Sequence, residues 1–273
     1  MPDPALLATL SLLLAAIGAF AGIVAGLLGV GGGIILVPAF LYTFRALGYD
    51  SAHLMQICLA TSLATIVVTS SRSVLSHNRR GAVDWAVLRG WAPGIVIGAV
   101  AGVAVAAALR TQALQAIFGA LGMIIALYLA FGRSDWRLAR EMPRGPLRAV
   151  MSAGVGLLSV LMGIGGGSFA VPIMTMHGRA VHQAVATAAG FGVLLALPST
   201  AVFLVTGVPD AARPPWTVGS VSLPAFVIVI AMTLITAPLG ARLAHALPAR
   251  PLRRIFAVFL LLVAGNMLRG ALG

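Results

Sequence analysis

The chain has 273 residues, of which 60% are hydrophobic and 9% charged. Soluble domains carry about 25% charged residues, so this composition, with a mean hydropathy of +1.05, excludes an ordinary water-soluble enzyme and indicates a protein embedded in a lipid bilayer. The net charge of +12 comes from arginine without lysine, which excludes a lysine-dependent phosphate loop or Schiff base, and in a membrane protein it does not indicate a nucleic-acid partner.

Apolar blocks follow one another along the chain, and those of sufficient length are predicted to be membrane helices. They cover residues 5–29, 54–71, 84–109, 113–131, 147–162, 183–206, 217–240 and 252–268. Two shorter apolar stretches, at about 34–44 and 168–177, each follow a glycine triplet. At a rise of about 1.5 Å per residue neither stretch can cross a bilayer alone.

The second half of the chain repeats the first. The block from Gly29 to Pro38, with its glycine triplet and Val-Pro end, returns as the block from Gly163 to Pro172. Further matches follow in the same order: 60–62 with 186–188, 81–85 with 219–223, and 114–118 with 252–256. Conserved order and offsets indicate a duplication. We therefore expect a first transmembrane repeat at 1–132, an arginine-rich linker at 133–147 and a second repeat at 148–273.

At each glycine triplet the chain either crosses the membrane or turns back, and the arginines decide between the two. If each triplet is a crossing, the 18 arginines divide about 11 to 7 between the sides, by the positive-inside count. If each triplet is a hairpin, they divide about 14 to 4, which fits that rule much better. The sequence thus predicts an all-α polytopic membrane protein of two inverted repeats, with about four helical segments each. The first segment of each repeat is a glycine-broken, re-entrant hairpin, the linker is cytoplasmic and both termini are outside.

The glycine triplets are the predicted substrate site. A half-helix that begins at a triplet has unpaired N–H groups and the positive end of its dipole there, and glycine lets a ligand approach this backbone closely. Two such ends near the middle of the membrane would form an anion cage; close helix packing is the alternative role for small residues. The candidate backbone groups belong to Gly31, Gly32, Gly33, Gly165, Gly166 and Gly167, and Ser168 could add a hydroxyl.

The helix after the first hairpin carries Thr61, Thr65 and Thr69 at a spacing of four, hence on one face. These hydroxyls either line a wet path or bond the carbonyls of their own helix. Thr61, Ser62 and the symmetric Thr187 are predicted to complete the hydrogen bonds of a bound anion. Gln56 and His182 occupy equivalent positions near the helix starts and are candidates for gate or interface groups.

The ionisable residues do not form a recognisable catalytic or metal-binding set. The acids and histidines lie at the ends of apolar blocks, so a buried proton relay or the Ser–His pair of an intramembrane protease is not expected. One cysteine, Cys58, excludes an internal disulfide and a cysteine cluster. We expect neither a catalytic residue, nor a metal, nor a cofactor.

On the two GGG…VP blocks, the Ala-Thr-Ser at 60–62 and the four-plus-four layout, the chain resembles the TauE/SafE family of bacterial membrane proteins, described as sulfite and organosulfonate exporters. The resemblance covers nearly the whole chain. It departs from strict symmetry at Ala188, which leaves the hydroxyl of Ser62 without a counterpart.

The resemblance implies a secondary transporter that exports sulfite or a small organosulfonate across the bacterial cytoplasmic membrane by alternating access. A passive anion channel, or a transporter of another small anion such as a carboxylate, is the alternative. The expected partners are the anion and the lipid bilayer, with a homo-oligomer possible.

Overall fold

The computed structural model describes residues 4–28, 32–132, 136–209, 213–246 and 249–272. These residues form a helical bundle with one short strand pair. The helices are α1 (Pro4–Leu28), α2 (Gly33–Ala46), α3 (Leu54–Arg79), α4 (Trp85–Ala108), α5 (Thr111–Phe131), α6 (Gly145–Leu161), α7 (Gly167–Met176), α8 (Val181–Val205), α9 (Leu223–Ala246) and α10 (Ala249–Leu272). Within the described residues, six of them are long and apolar enough to cross a membrane: α3, α4, α5, α8, α9 and α10. The predicted all-α polytopic membrane protein is confirmed.

One predicted helical block begins later than expected. Residues 217–222 form two antiparallel strands, β1 (Thr217–Val218) and β2 (Val221–Ser222), and helix α9 starts only at Leu223. The turn between the strands contains Gly219 at φ +59°, the left-handed backbone that a two-residue hairpin turn requires. The glycine turn therefore allows a strand pair to form here, although the apolar composition predicted a helix from residue 217.

Helices α6 and α7 form a hairpin whose two ends lie together. Helix α6 ends in a Schellman motif, in which Gly163, at φ +61°, donates to the Val160 carbonyl and Ile164 to the Ser159 carbonyl, each at 2.9 Å. Helix α7 then returns to the side of the bundle on which α6 begins. The evidence is that the Met176 carbonyl at the end of α7 accepts a hydrogen bond from the Leu138 amide in the segment that leads into α6. We call the surface formed by residues 136–144 and the ends of the helices beside them the linker face.

Helix α2, the second helix of the α1–α2 hairpin, ends at the opposite face of the bundle. At the end of α2, Arg45 donates to Gln115 near the start of α5, and Thr111 donates to Ala52 just before α3. Helix α3 crosses from there to Asp84, whose carboxylate pairs with Arg179, directly after α7. The ends of α2 and α7 therefore lie at opposite faces of the bundle.

Glycines allow the two halves of the chain to pack backbone against backbone. A Cβ on Gly156 of α6 would overlap the Ile95 backbone of α4, and one on Gly22 of α1 would overlap the Thr233 backbone of α9. By the sequence repeat, Gly22 corresponds to Gly156 and Thr233 to Ile95. Each half thus makes the same close contact with the other.

Candidate functional site

The two short helices begin within the glycine triplets. Helix α2 starts at Gly33 after the N-cap residue Gly32, and α7 starts at Gly167 after Gly166; neither N-terminus is capped by a side chain. The first N–H groups of a helix have no acceptor inside the helix, and they carry the positive end of its dipole. Both helices therefore begin with donor groups suited to an anion.

The two hairpin tips contact each other in the interior. A Cβ on Gly33 would overlap the Gly163 carbonyl and come within 2.8 Å of the Ile164 Cα, and one on Gly163 would come within 2.7 Å of the Val37 side chain. The described residues of both tips, 32–38 and 161–168, are buried. Glycine is thus required at Gly33 and Gly163 by the close approach of the two chains.

Two serines lie at the second tip, and they differ in their hydrogen bonding. Ser62 of α3 donates to the Gly163 carbonyl at 2.7 Å, so its hydroxyl holds the turn in place. Ser168, in the first turn of α7, is 6% exposed, and its hydroxyl has no protein partner. An unpaired hydroxyl in the interior costs about 1–3 kcal/mol, so a bound ligand that accepts a hydrogen bond from Ser168 would recover this free energy.

The remaining triplet glycines have different environments. Gly31 lies outside the described residues. Gly32 packs against Ala21 with ordinary spacing, whereas a Cβ on Gly166 would come within 2.9 Å of the Phe191 Cβ on α8. Gly165 is buried beside it. The second tip is therefore in contact with α8 at Gly166.

Thr61 and Thr187 bond to backbone of the opposite half. The hydroxyl of Thr187 accepts from the Asp84 amide at 2.9 Å, and that of Thr61 accepts from the Ser222 amide at 3.0 Å. Asp84 and Ser222 are themselves equivalent in the repeat and stand immediately before α4 and α9. The two threonines thus make a symmetric pair of contacts that positions the start of a helix from the other half.

The other two threonines of the stripe on α3, Thr65 and Thr69, bond their own helix. Thr65 donates to the Ser62 carbonyl at 2.6 Å and Thr69 to the Thr65 carbonyl at 3.1 Å. The spacing allowed these hydroxyls either to line a wet path or to bond the carbonyls of their own helix, and in the structure Thr65 and Thr69 do the second.

Gln56 and His182, equivalent in the repeat, have unlike surroundings. The Gln56 side chain is 2% exposed and donates to the Ala106 and Leu109 carbonyls at the end of α4. His182 is exposed in the first turn of α8. Gln56 holds the connection between α4 and α5, and a gating role for either residue stays a prediction.

The sequence patterns did not predict one buried hydroxyl on the face of α8 that contacts the second tip. Ser199 is fully buried and unpartnered, and it follows Phe191 and Leu195 of α8 at a spacing of four, hence on the same face. Phe191 and Leu195 are the residues that contact Gly166. The signal was present, since Ser199 stands in the repeat where Ser73 extends the threonine stripe.

An apolar groove elsewhere does not suit an anion. It has a volume of about 370 Å³ and lies between α1, α2 and α10, lined mainly by apolar side chains such as Ile17, Phe20 and Phe259. An anion there would lose its hydration without gaining hydrogen bonds. The hairpin tips remain the better candidate.

Comparison with known proteins gives a consistent result. The chain is 33% identical to a probable membrane transporter protein of Haemophilus influenzae, over 95% of this chain and 98% of that protein. It is 25% identical to a probable membrane transporter protein of Methanocaldococcus jannaschii, over 88% of this chain and 89% of that protein. No solved structure matches the chain.

The family described as sulfite exporter TauE/SafE matches residues 14–267, which is nearly the whole chain. Six helices among the described residues are long enough to cross a membrane, and both relatives are named as probable membrane transporter proteins. The chain therefore belongs to the sulfite exporter TauE/SafE family and is a multi-pass membrane transporter.

Proposed function

We propose that this transporter exports sulfite or a small organosulfonate across the bacterial cytoplasmic membrane by alternating access. The observation that carries the proposal is that two uncapped half-helix N-termini, at Gly33 and Gly167, are both buried, with Gly33 packed against the Gly163–Ile164 turn that precedes α7. Backbone N–H groups at helix starts bind oxyanions without a basic side chain.

The hydroxyls of Ser168 and Ser199 would complete the site. Both are buried and lack protein partners. Ser168 follows the tip directly, in the first turn of α7, and Ser199 stands one turn beyond Leu195, on the face of α8 that contacts Gly166. An oxyanion has several acceptor atoms and can accept hydrogen bonds from both hydroxyls and from the N–H groups of the helix starts. Uncharged donors bind an anion without trapping it, which suits a carrier that must release its substrate.

Alternating access is supported by the arrangement of the hairpins. The second helix of the α6–α7 hairpin ends at the linker face, and that of the α1–α2 hairpin ends at the opposite face. Inverted repeats with broken helices that meet near the middle of the membrane are typical of secondary transporters. Rocking of one half against the other would expose the tips to each side in turn.

The arginines support a cytoplasmic linker face. Arg45, Arg110 and Arg269 lie at the opposite face, next to the ends of helices that meet there. A larger set lies at the linker face: Arg79, Arg80, Arg89, Arg137, Arg140, Arg144, Arg148 and Arg179. By the positive-inside rule the linker face is cytoplasmic, and the inside-negative membrane potential then drives anions outward.

The test is thermal unfolding of the purified protein with sulfite, sulfate, thiosulfate, sulfoacetate, taurine, chloride and a carboxylate. A ligand that binds the folded state stabilises it by RT ln(1 + [L]/Kd), about 2.7 kcal/mol at a hundredfold excess over Kd. We expect sulfite or one sulfonate to raise the melting temperature selectively. No shift with any sulfur oxyanion would overturn the substrate assignment, and the absence of counterflow in liposomes would favour a passive channel.

The matched variants are Ser168→Ala and Ser152→Ala. Ser152 is equally buried, but its hydroxyl bonds the Ala149 carbonyl of its own helix. A hydrogen bond to a charged group contributes about 1.5–3 kcal/mol, so Ser168→Ala should weaken sulfite binding by about tenfold or more while Ser152→Ala leaves it unchanged. Equal affinities in the two variants would place the anion elsewhere.

A further inference from the structure

An ion pair joins the two halves of the transporter at the linker face. The Arg179 Nη2, in the connection between α7 and α8, lies 3.3 Å from the Asp84 Oδ2, and the Asp84 side chain is only 10% exposed. The other ion pairs between described residues, Arg45–Asp50 and Arg144–Glu141, are each local in the sequence. The Asp84–Arg179 pair is therefore a contact of a different kind.

Asp84 makes three contacts at once. Its Oδ1 accepts from the Val87 amide and caps α4, its backbone amide donates to Thr187 of α8, and its Oδ2 faces Arg179. The start of α4, from the first half, is thus attached by two bonds to the start of α8, from the second half. Thr187 itself is 0% exposed and its neighbour Ala188 is 2% exposed, so the linker face is closed here.

The opposite face has only part of this arrangement. Ser222, the repeat equivalent of Asp84, donates its amide to Thr61, but a serine offers no carboxylate. Arg45, which matches Arg179 in the hairpin, pairs with Asp50 in its own half. Among the described residues the symmetric hydrogen bond is kept at both faces, and the charged pair is added at the linker face.

We propose that the Asp84–Arg179 pair is a lock that holds the linker face closed, and that it must separate when this face opens. The proposal rests on the proposed alternating access. Contacts between inverted repeats at one face have to break for the site to reach that side. Because the Asp84 carboxylate is largely shielded from water, the pair keeps more of its attraction than one between two exposed side chains.

The test measures thiol labelling of a reporter, Ala188→Cys, in a Cys58→Ser background. Asp84→Asn removes the charge but keeps an oxygen that can cap α4. We expect Asp84→Asn to raise the rate of maleimide labelling from the linker side by about tenfold, within the usual range of conformational coupling. Asp50→Asn, which breaks the local pair with Arg45, is the control and should leave the rate unchanged.

A second reporter separates opening from general loosening. This reporter is Ala60→Cys. Ala60 is fully buried on α3, beside Thr61, which contacts the start of α9. A lock at the linker face predicts faster labelling of Ala188→Cys alone, whereas faster labelling of both reporters would overturn the proposal in favour of a purely structural role.

Arg179→Gln tests the same pair from its more exposed partner, which is 38% exposed, and so remains informative if Asp84→Asn does not fold. The two substitutions together should accelerate labelling no more than either one alone. Unchanged labelling in Arg179→Gln would refute the lock. Because labelling needs no substrate, this outcome is independent of whether sulfite stabilises the same protein, and the two proposals can fail separately.

Discussion

Single hydroxyls fix the relation between the two halves. Thr61 and Thr187 are fully buried, and each accepts a hydrogen bond from the amide that precedes a helix of the other half. A threonine in a membrane helix usually satisfies its hydroxyl on its own carbonyls, as Thr69 does. These two residues instead position backbone that is distant in the sequence.

Thr61→Val and Thr187→Val should each destabilise the protein by about 1–3 kcal/mol, because each leaves a buried amide without its acceptor. The measurement is the free energy of unfolding in detergent or bicelles. Thr69→Val is the control, since it removes a hydroxyl that bonds within the same helix. If all three variants lose the same stability, the contacts between halves do not have the importance assigned to them.

At the scale of elements, α4 and α6 pack through a row of glycines. Gly90, Gly94, Gly98 and Gly102 are spaced by four residues on α4 and face Arg148, Ser152, Ala153 and Leu157 of α6. Without a hydrophobic driving force between helices in lipid, close packing of small residues is a main source of attraction. The glycines thus let two helices from different halves approach closely.

Gly98→Ala should destabilise the protein by about 1–3 kcal/mol, the usual result of overfilling a packed interior, because its Cβ would overlap the Ala153 carbonyl. Gly154→Ala is the matched control: Gly154 lies within α6 and a Cβ there meets nothing within 4 Å. Alanine is the better helix former by about 1 kcal/mol, so Gly154→Ala should be neutral or stabilising. Unfolding midpoints of the two variants check the difference in sign.

At the scale of the whole molecule, the two hairpins end at opposite faces of the bundle. The loops that follow α2 and α7 should therefore lie on opposite sides of the membrane, which can be tested. Ala46 at the end of α2 and Ala180 before α8 are both exposed. In a Cys58→Ser background, Ala46→Cys should react with an impermeant maleimide added outside the cell, and Ala180→Cys only after the cytoplasmic side is made accessible. Labelling of both from one side would exclude the inverted arrangement.

Much of the architecture was available from the sequence alone. The apolar blocks and the glycine-triplet repeat predicted the long helices and the two short helices that start at Gly33 and Gly167, because in lipid every backbone group must be satisfied within a helix or a buried turn. The membrane class and the family follow from the same patterns. The position of each helix depends on the hydropathy and glycine content of its own segment, so the sequence alone is sufficient to predict it.

The partners of the site residues were decided only by the tertiary structure. The spacing of Thr61, Thr65 and Thr69 could not tell a ligand contact from a bond to the same helix, because both need the same hydroxyl on the same face. Likewise, no local pattern connects Asp84 with Arg179 or Ser62 with Gly163, since these residues are far apart in the chain. Such pairs exist because the glycine-lined helices of the two halves pack closely enough to bring them together.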